Sequence, residues 1–240
     1  MNNIYIGCAG WSVPKESASR FPTQGSHLAR YAARFPAVEI NSSFYRPHRP
    51  ATYQRWAASV PADFRFSVKV PKVITHEHRL IEVTELFARF LSDVTHLQEK
   101  LGPLLVQLPP SLPFAGAVVE RFFADVRGRF PGDVALEPRH ASWFAAAADR
   151  LMVAYRIARV AADPAVVTAE PGGWNGLVYY RLHGSPQVYY SSYPDEDLVP
   201  VAEALSVARR TAAVWCIFDN TAVGAATRNA LDRLGLLRVS

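Results

Sequence analysis

The sequence predicts an α/β fold, a (β/α)8 TIM barrel with an irregularity around its sixth and seventh strands. Three observations lead there. Strand-like and helix-like segments alternate from end to end, which calls for a parallel sheet with crossover helices. Eight such strands fit within 240 residues, a length at which α/β barrels fold as one domain. Nearly every strand also ends in ionisable or amide side chains, as expected where the βα loops of a barrel build a site. The expected organisation is therefore a single domain over residues 1–240. An open doubly wound sheet is the competitor, but no Gly-rich dinucleotide fingerprint follows an early strand, and Gly7-Cys8-Ala9-Gly10 is not one.

The elements follow in order. Ile4 to Ile6 is the first strand, and a helix near Ser26 to Arg34 turns Leu28, Tyr31, Ala32 and Phe35 to one face. Ala37 to Ile40 is the second strand, running into Asn41-Ser42-Ser43-Phe44-Tyr45-Arg46, and a short helix lies around Thr52 to Ser59. Phe64 to Val68 is the third, followed by Lys69 and a loop through Thr75-His76-Glu77-His78. A helix from Val83 to Lys100 meets a stop at Gly102-Pro103, and Leu104 to Gln107 is the fourth strand. A helix over Ala117 to Arg129 precedes the fifth strand, Val134 to Leu136, which runs straight into Glu137-Pro138-Arg139-His140. The alanine-rich segment Trp143 to Tyr155 is its helix. Arg159 to Ala162 is the sixth strand, and the loop after it, Glu170 to Gly176, has no convincing helix. Leu177 to Leu182 is the seventh strand. The helix from Asp195 to Arg210 is acidic at its start and basic at its end, as its dipole prefers. Val214 to Phe218 is the eighth strand, and a last helix runs near Ala225 to Leu234.

Composition narrows the function. Hydrophobic residues make up 50%, charged 20% and aromatic 12%, a globular balance with enough apolar material for one sizeable core. The net charge of +5 and pI of about 9.4 lean towards anionic partners, weakly, since arginines on helix faces give the same total. Cys8 and Cys216 are two cysteines without zinc spacing, which reads as buried free thiols in a reducing compartment. With no signal-peptide pattern and no apolar stretch of spanning length, a cytoplasmic protein without a membrane partner is expected.

Strand parity selects the candidate site, because alternate side chains share a face. Glu39 pairs in parity with Asn41, Glu137 with Arg139, and Arg181 with Tyr179 and His183. Adding the other strand ends gives Lys69, Gln107, His140, Asp163, Asp219 and Asn220. The expected catalytic groups are Glu137 and Glu39 as paired carboxylates, with His183 and Asp219 orienting or moving a proton. Arg181, Arg139, Lys69 and Arg46 would hold an anion, and Asn41, Tyr45, Gln107, His76, Trp143 and Asn220 would line the substrate site. The partner is then a small anionic molecule or phosphate, phosphorylated or sugar-like, and the reaction a hydrolysis or an isomerisation. His183-Gly184-Ser185 after the seventh strand and Asn220-Thr221 before the last helix lie where barrels bind phosphate on backbone N–H groups. Glu39, Glu137, Asp163 and His183 would suit a divalent metal, but Lys69, Arg139 and Arg181 compete for the same carboxylates, so a metal is not favoured.

Blander readings stand beside this one. The same charges could form an ion-pair lattice that ties the barrel end together, which is not in itself stabilising. In that case the protein is a non-catalytic metabolite- or partner-binding barrel. A basic mouth ringed by Trp11, Phe44, Tyr45, Trp143, Trp174, Tyr189, Tyr190 and Tyr193 would also suit a nucleotide or nucleic acid. An open pocket with unpaired Glu137 and Arg181, or a closed network, separates the enzyme from the scaffold.

The segments Phe44-Tyr45-Arg46, Lys69 with Thr75-His76, and Lys100-Leu101-Gly102-Pro103 leading to Gln107-Leu108-Pro109-Pro110-Ser111 carry a resemblance. It continues through Glu137-Pro138-Arg139-His140 with Ser142-Trp143, Tyr180-Arg181-Leu182-His183-Gly184, and Phe218-Asp219-Asn220-Thr221. In this order the sequence resembles the YecE-like family, one of the domain-of-unknown-function families. The resemblance implies a TIM-barrel fold and a cytoplasmic bacterial or archaeal protein, and it implies no reaction. The chain is shorter than the family's usual pattern between Asp163 and Leu177 and between His183 and Asp195.

Overall fold

A computed structural model describes residues 4–239. Two parallel-rich sheets and seven α-helices make an α/β fold. The first sheet has the order β1-β10-β9-β7 and the second β2-β3-β4-β5-β6-β8. The strands are β1 (Ile4–Cys8), β2 (Ala37–Ile40), β3 (Arg65–Lys69), β4 (Leu101–Gln107) and β5 (Val134–Glu137), then β6 (Ile157–Arg159), β7 (Ala161–Asp163), β8 (Gly172–Gly173), β9 (Leu177–Leu182) and β10 (Ala213–Phe218). The helices between and after them are α1 (His27–Ala32), α2 (Pro50–Ala58), α3 (Thr84–Val94), α4 (Gly116–Arg129), α5 (Ala146–Ala154), α6 (Asp195–Ala208) and α7 (Ala225–Val239).

Most predicted elements fall within a residue or two of these bounds, and the departures have local causes. The helix expected to run to Lys100 stops as an α-helix at Val94, and a 3-10 stretch follows in which Gln98 has φ 55°. Gly102 and Pro103 lie inside β4 rather than ahead of it. Gly102 is needed there, because a Cβ would sit 2.7 Å from the Trp215 ring. The alanine-rich segment opens with a 3-10 turn, Ala141–Phe144, before α5 begins. No helix occupies the stretch between β7 and β9. Its place is taken by β8, which pairs antiparallel to β6 through Gly172 and Gly173.

The two sheets meet at two seams rather than forming one continuous ladder. At the first, the Tyr31 hydroxyl inserts between β1 and β2: it accepts from the Cys8 N–H at 2.8 Å and donates to the Ala37 carbonyl at 3.1 Å. A side chain thus satisfies the two groups that a ladder would have paired. Gly7 allows the close approach, since a Cβ there would meet the Ala37 oxygen at 2.1 Å. Beyond the hydroxyl the strands touch again through a parallel bridge, Ala9 to Glu39, and the Gly10 N–H donates to the Glu39 carbonyl at 2.9 Å. At the second seam the expected sixth strand is split. Its first half, β6, pairs with β5, while its second half, β7, pairs with β9. Val160 between them donates to the Leu136 carbonyl at 2.8 Å.

Inward side chains from both sheets pack into one cluster: Ala37, Leu105, Ala135, Ala158, Val160, Tyr179, Trp215 and Ile217. A larger apolar layer lies between the strands and the helices. Burial of these side chains is what drives the sheets together. Cys8 and Cys216 are buried thiols not joined in a disulfide, as their spacing suggested. Among the described residues no helix is long and apolar enough to cross a membrane.

Candidate functional site

Along five of the inward faces the residue two positions beyond the apolar cluster is polar. Ala37 leads to Glu39, Leu105 to Gln107, Ala135 to Glu137, Tyr179 to Arg181 and Ile217 to Asp219. In-register pairing then sets Gln107 beside Glu137 and Arg181 beside Ile217. The carboxyl ends of the strands therefore converge on one charged cluster, as parity predicted.

Arg181 is its centre and is fully buried. Its Nε and Nη2 donate to Glu39 at 3.0 and 2.7 Å, Nη1 donates to Glu137 at 2.8 Å, and Nη2 also donates to Asp219 at 3.0 Å. One guanidinium thus faces three carboxylates, using the fork geometry that makes arginine the cation for such sites. Tyr179 adds its hydroxyl, 3.0 Å from Glu39 and 2.8 Å from Ser67. Glu137 collects further donors: Gln107 at 2.9 Å, Arg139 at 3.3 Å and His183 Nε2 at 3.1 Å. The other ring nitrogen, His183 Nδ1, lies 3.0 Å from Asp219. That is close enough for ionic attraction but out of line for a hydrogen bond.

Electrostatics follow from this geometry. Burial alone would raise the Glu137 carboxyl, but Arg181, His183 and Arg139 overcome it and hold it well below the usual carboxylate range. Asp219 shows the same contest with the same outcome, burial opposed by Arg181 and His183. For His183, burial disfavours the charged ring, yet Glu137 and the contact with Asp219 raise its pKa.

This network is closed. Glu39, Glu137 and Arg181 are 0% exposed and His183 is 1% exposed, so none presents itself to a ligand. The donors of Arg181 already face carboxylates. Glu137 accepts from four donors, and the pKa of its carboxyl is lowered.

Lys69 is different. It sits at the end of β3 with 5% of its surface exposed, and among the described residues no ion pair or hydrogen bond engages its ammonium. Its contact is the Phe44 ring, with Nζ 4.1 Å from the centroid, a cation–π geometry. Burial, with Arg181 adding repulsion, lowers its pKa from 10.5 to about 8, the three carboxylates restraining the fall. His76 shares the same ring edge-on at 5.0 Å, and its Nδ1 lies 2.8 Å from the Thr75 hydroxyl. Burial and then Lys69 lower the pKa of His76, so the imidazole is neutral near pH 7. Arg139, with its side chain 21% exposed, makes one long contact with Glu137.

The remaining predicted residues scatter. Tyr45 and Arg46 are exposed. Asn41 begins a 3-10 turn, φ −84° and ψ −22°, which takes it off the parity of Glu39. It lines instead a cavity of about 390 Å³ with Trp11, Ser12 and His27. Trp143 is no mouth residue: it is fully buried, and its indole N–H donates to the Leu112 carbonyl at 2.9 Å. His140 accepts from the Ser142 N–H at 3.2 Å and so caps the 3-10 turn. Asn220 is also buried, tying its loop to Ser191 and to Asn229 of α7 at 2.9 and 3.0 Å. Two donors of the expected phosphate cradle are engaged within the chain: the His183 N–H bonds the Asp163 carbonyl and the Gly184 N–H bonds the Tyr193 hydroxyl, both at 2.8 Å. The Asp163 carboxylate accepts from the Tyr193 hydroxyl, and among the described residues it makes no hydrogen bond or ion pair with the side chains of Glu39, Glu137 or His183. Among the described residues no group of three or more His, Cys, Asp or Glu side chains is arranged to hold a metal ion. Arg181 occupies the space between the carboxylates that a cation would need. Sequence reasoning overlooked Ser67, and gave no site role to Tyr179, although its parity with Arg181 was visible.

Comparison with known proteins agrees with the motif resemblance. The chain is 32% identical over 143 residues to UPF0759 protein YecE of Escherichia coli K12, covering 59% of this chain and 50% of that protein. It is 30% identical over 154 residues to UPF0759 protein YunF of Bacillus subtilis 168, covering 59% and 52%. These alignments span about half the length of the curated relatives. In fold it is similar to a DUF72 family protein of Enterococcus faecalis V583, with TM-score 0.82 and 22% identity over 99% of this chain and 96% of that one. At that identity the likeness speaks to fold alone. The model of the family described as "Protein of unknown function DUF72" matches residues 5–239, so the chain belongs to the DUF72 family.

Proposed function

We propose that the two sheets are the halves of one irregular (β/α)8 barrel, and that its carboxyl face takes up a small anionic ligand through Lys69 and Arg139. The barrel reading is supported by the shared interior cluster, by the Ala9–Glu39 bridge at one seam, and by the split sixth strand that pairs with both sheets at the other. In this reading the Glu39–Glu137–Asp219–Arg181–His183 network is a rigid floor, and ligand chemistry happens above it.

The observation that carries the ligand reading is Lys69. A buried ammonium without an ion pair is costly, and such a group normally finds a partner or gives up its proton. Three carboxylates lie in its vicinity, yet all three are bound to Arg181. What stays open is a cation, so an anion completes the site. Of the groups at this face, Lys69 is also the best suited to proton transfer. With a pKa of about 8, roughly a tenth of it is unprotonated at pH 7. Loss or transfer of a proton beside a carbonyl, an isomerisation, fits that amine better than it fits the locked carboxylates.

Titration calorimetry with orthophosphate and with small carboxylates tests this reading. The expected result is binding by the intact chain that Lys69→Met weakens at least tenfold and Arg139→Met weakens measurably. No binding by the unaltered protein, or equal binding by all three, overturns it. A screen of phosphorylated and carboxylated sugars, with Lys69→Met as the blank, then separates catalysis from binding alone.

A further inference from the structure

The chain carries 26 basic residues, of which four are lysines: Lys15, Lys69, Lys72 and Lys100. Three of them have ordinary surroundings. Lys15 is exposed, Lys72 pairs with Glu77 at 3.0 Å, and Lys100 donates to the Ala57 and Val60 carbonyls. The fourth is the buried amine over Phe44. An arginine there would keep its charge at any physiological pH, whereas a lysine can lose its proton and become a nucleophile. We propose that Lys69 forms an imine with an anionic aldehyde or ketone and so serves as a covalent anchor for its ligand.

The neighbourhood fits each part of the step. The neutral amine adds to the carbonyl carbon, forming a C–N bond, while the carbonyl oxygen takes a proton and becomes a hydroxyl. The nitrogen then loses a proton, the hydroxyl takes another, and the C–O bond breaks. One water leaves, the C=N bond is complete, and no electrons are exchanged with any other species. The proton that reaches the departing hydroxyl needs a carrier. His76 is placed for this, because it contacts the same Phe44 ring as Lys69 and keeps Nε2 free while Nδ1 engages Thr75. Arg139 supplies a partly exposed guanidinium for the ligand's anionic group. The lowered pKa of Lys69, about 8, raises the share of reactive amine. The closed network beneath excludes water from one side, which favours the dehydrated product.

The inference rests on the anion-binding reading and adds the carbonyl to it, so the two are tested apart. The intact chain is incubated with glyoxylate, an anionic aldehyde, and sodium cyanoborohydride, then digested and mapped by mass spectrometry. Lys69 is expected to gain the reduced adduct at least tenfold faster than Lys15 or Lys72, and excess orthophosphate is expected to suppress it. Lys69→Arg, whose folding is checked by circular dichroism, is expected to bind orthophosphate and give no adduct above the level of the other lysines. Adducts on Lys15 and Lys72 with none on Lys69, or equal rates at all four lysines, overturn the imine. If Lys69-dependent orthophosphate binding persists in that case, the imine alone falls. If orthophosphate does not bind either, both readings fall.

Discussion

Replacing Lys69 with methionine should make the protein more stable at neutral pH, although it removes a charge from a charged cluster. The folded chain lowers the Lys69 pKa from 10.5 to about 8, a difference of roughly 2.5, and each unit corresponds to about 1.36 kcal/mol. Holding the ammonium in place therefore costs roughly 3 kcal/mol at pH 7. Methionine has a similar length, carries no charge and can lay its sulfur on the Phe44 ring. It forfeits a cation–π contact worth about 0.5–2 kcal/mol and regains about 0.3–1.5 kcal/mol from sulfur on the ring. A net gain of roughly 1–4 kcal/mol remains, or about 2–16 °C in Tm for a chain of this size. The sign with pH is also determined. Between about 8 and 10.5 the unfolded chain binds the proton more readily than the folded one, so native stability rises with pH there. The advantage of the variant should be largest below pH 8 and should vanish near pH 10.5. Urea unfolding at pH 7 and pH 10 measures both values. A variant less stable than the native protein at pH 7, or an advantage independent of pH, would refute the reasoning.

Other expectations follow from the same geometry. Arg181→Met would leave Glu39, Glu137 and Asp219 buried without their shared cation and should cost about 3–5 kcal/mol or more, read as a fall in the urea midpoint or as insoluble protein. Glu137 and Asp219 have folded pKa values below their ordinary ones, so their stabilisation is present above the ordinary carboxylate range and is lost as pH falls through the lowered values. His183, raised in the folded state, contributes below its ordinary value of 6.5 and loses that contribution as pH rises through the folded value. His183→Asn should therefore remove the decline of Tm between 6.5 and that folded value. Trp143→Phe keeps an aromatic ring but leaves unfilled space and the Leu112 carbonyl without its donor, and a loss of about 1–3 kcal/mol or more is expected in thermal unfolding.

Much of this was legible in the sequence. Alternation of strands and helices gave the α/β class, and parity alone brought Glu39, Glu137 and Arg181 to one face. What the sequence could not convey is pairing. Glu39 and Arg181 stand 142 residues apart, and whether an arginine is free for an anion or engaged by carboxylates depends on distances across the interior that no local pattern encodes. Burial misled in the same way. Trp143 follows a run of polar residues and looks like a rim aromatic, yet the 3-10 turn capped by His140 folds it inward onto Leu112. Asn41 kept the parity of Glu39 on paper, but the strand ends at Ile40 and the turn redirects it. The split of the sixth strand was invisible too, because Arg159 to Ala162 reads as one run and only its two different neighbours divide it.

The central claim is that Lys69 is the reactive cation of this face, above a network that is already satisfied. Lysine-selective NMR reads it most directly, since four lysines give four signals and Lys69→Arg assigns the one that matters. A pH titration without ligand should find Lys69 titrating near 8, and added orthophosphate should move that value upward, because an anion favours the charged amine. A Lys69 signal that titrates near the ordinary 10.5 and does not respond to orthophosphate would contradict the account.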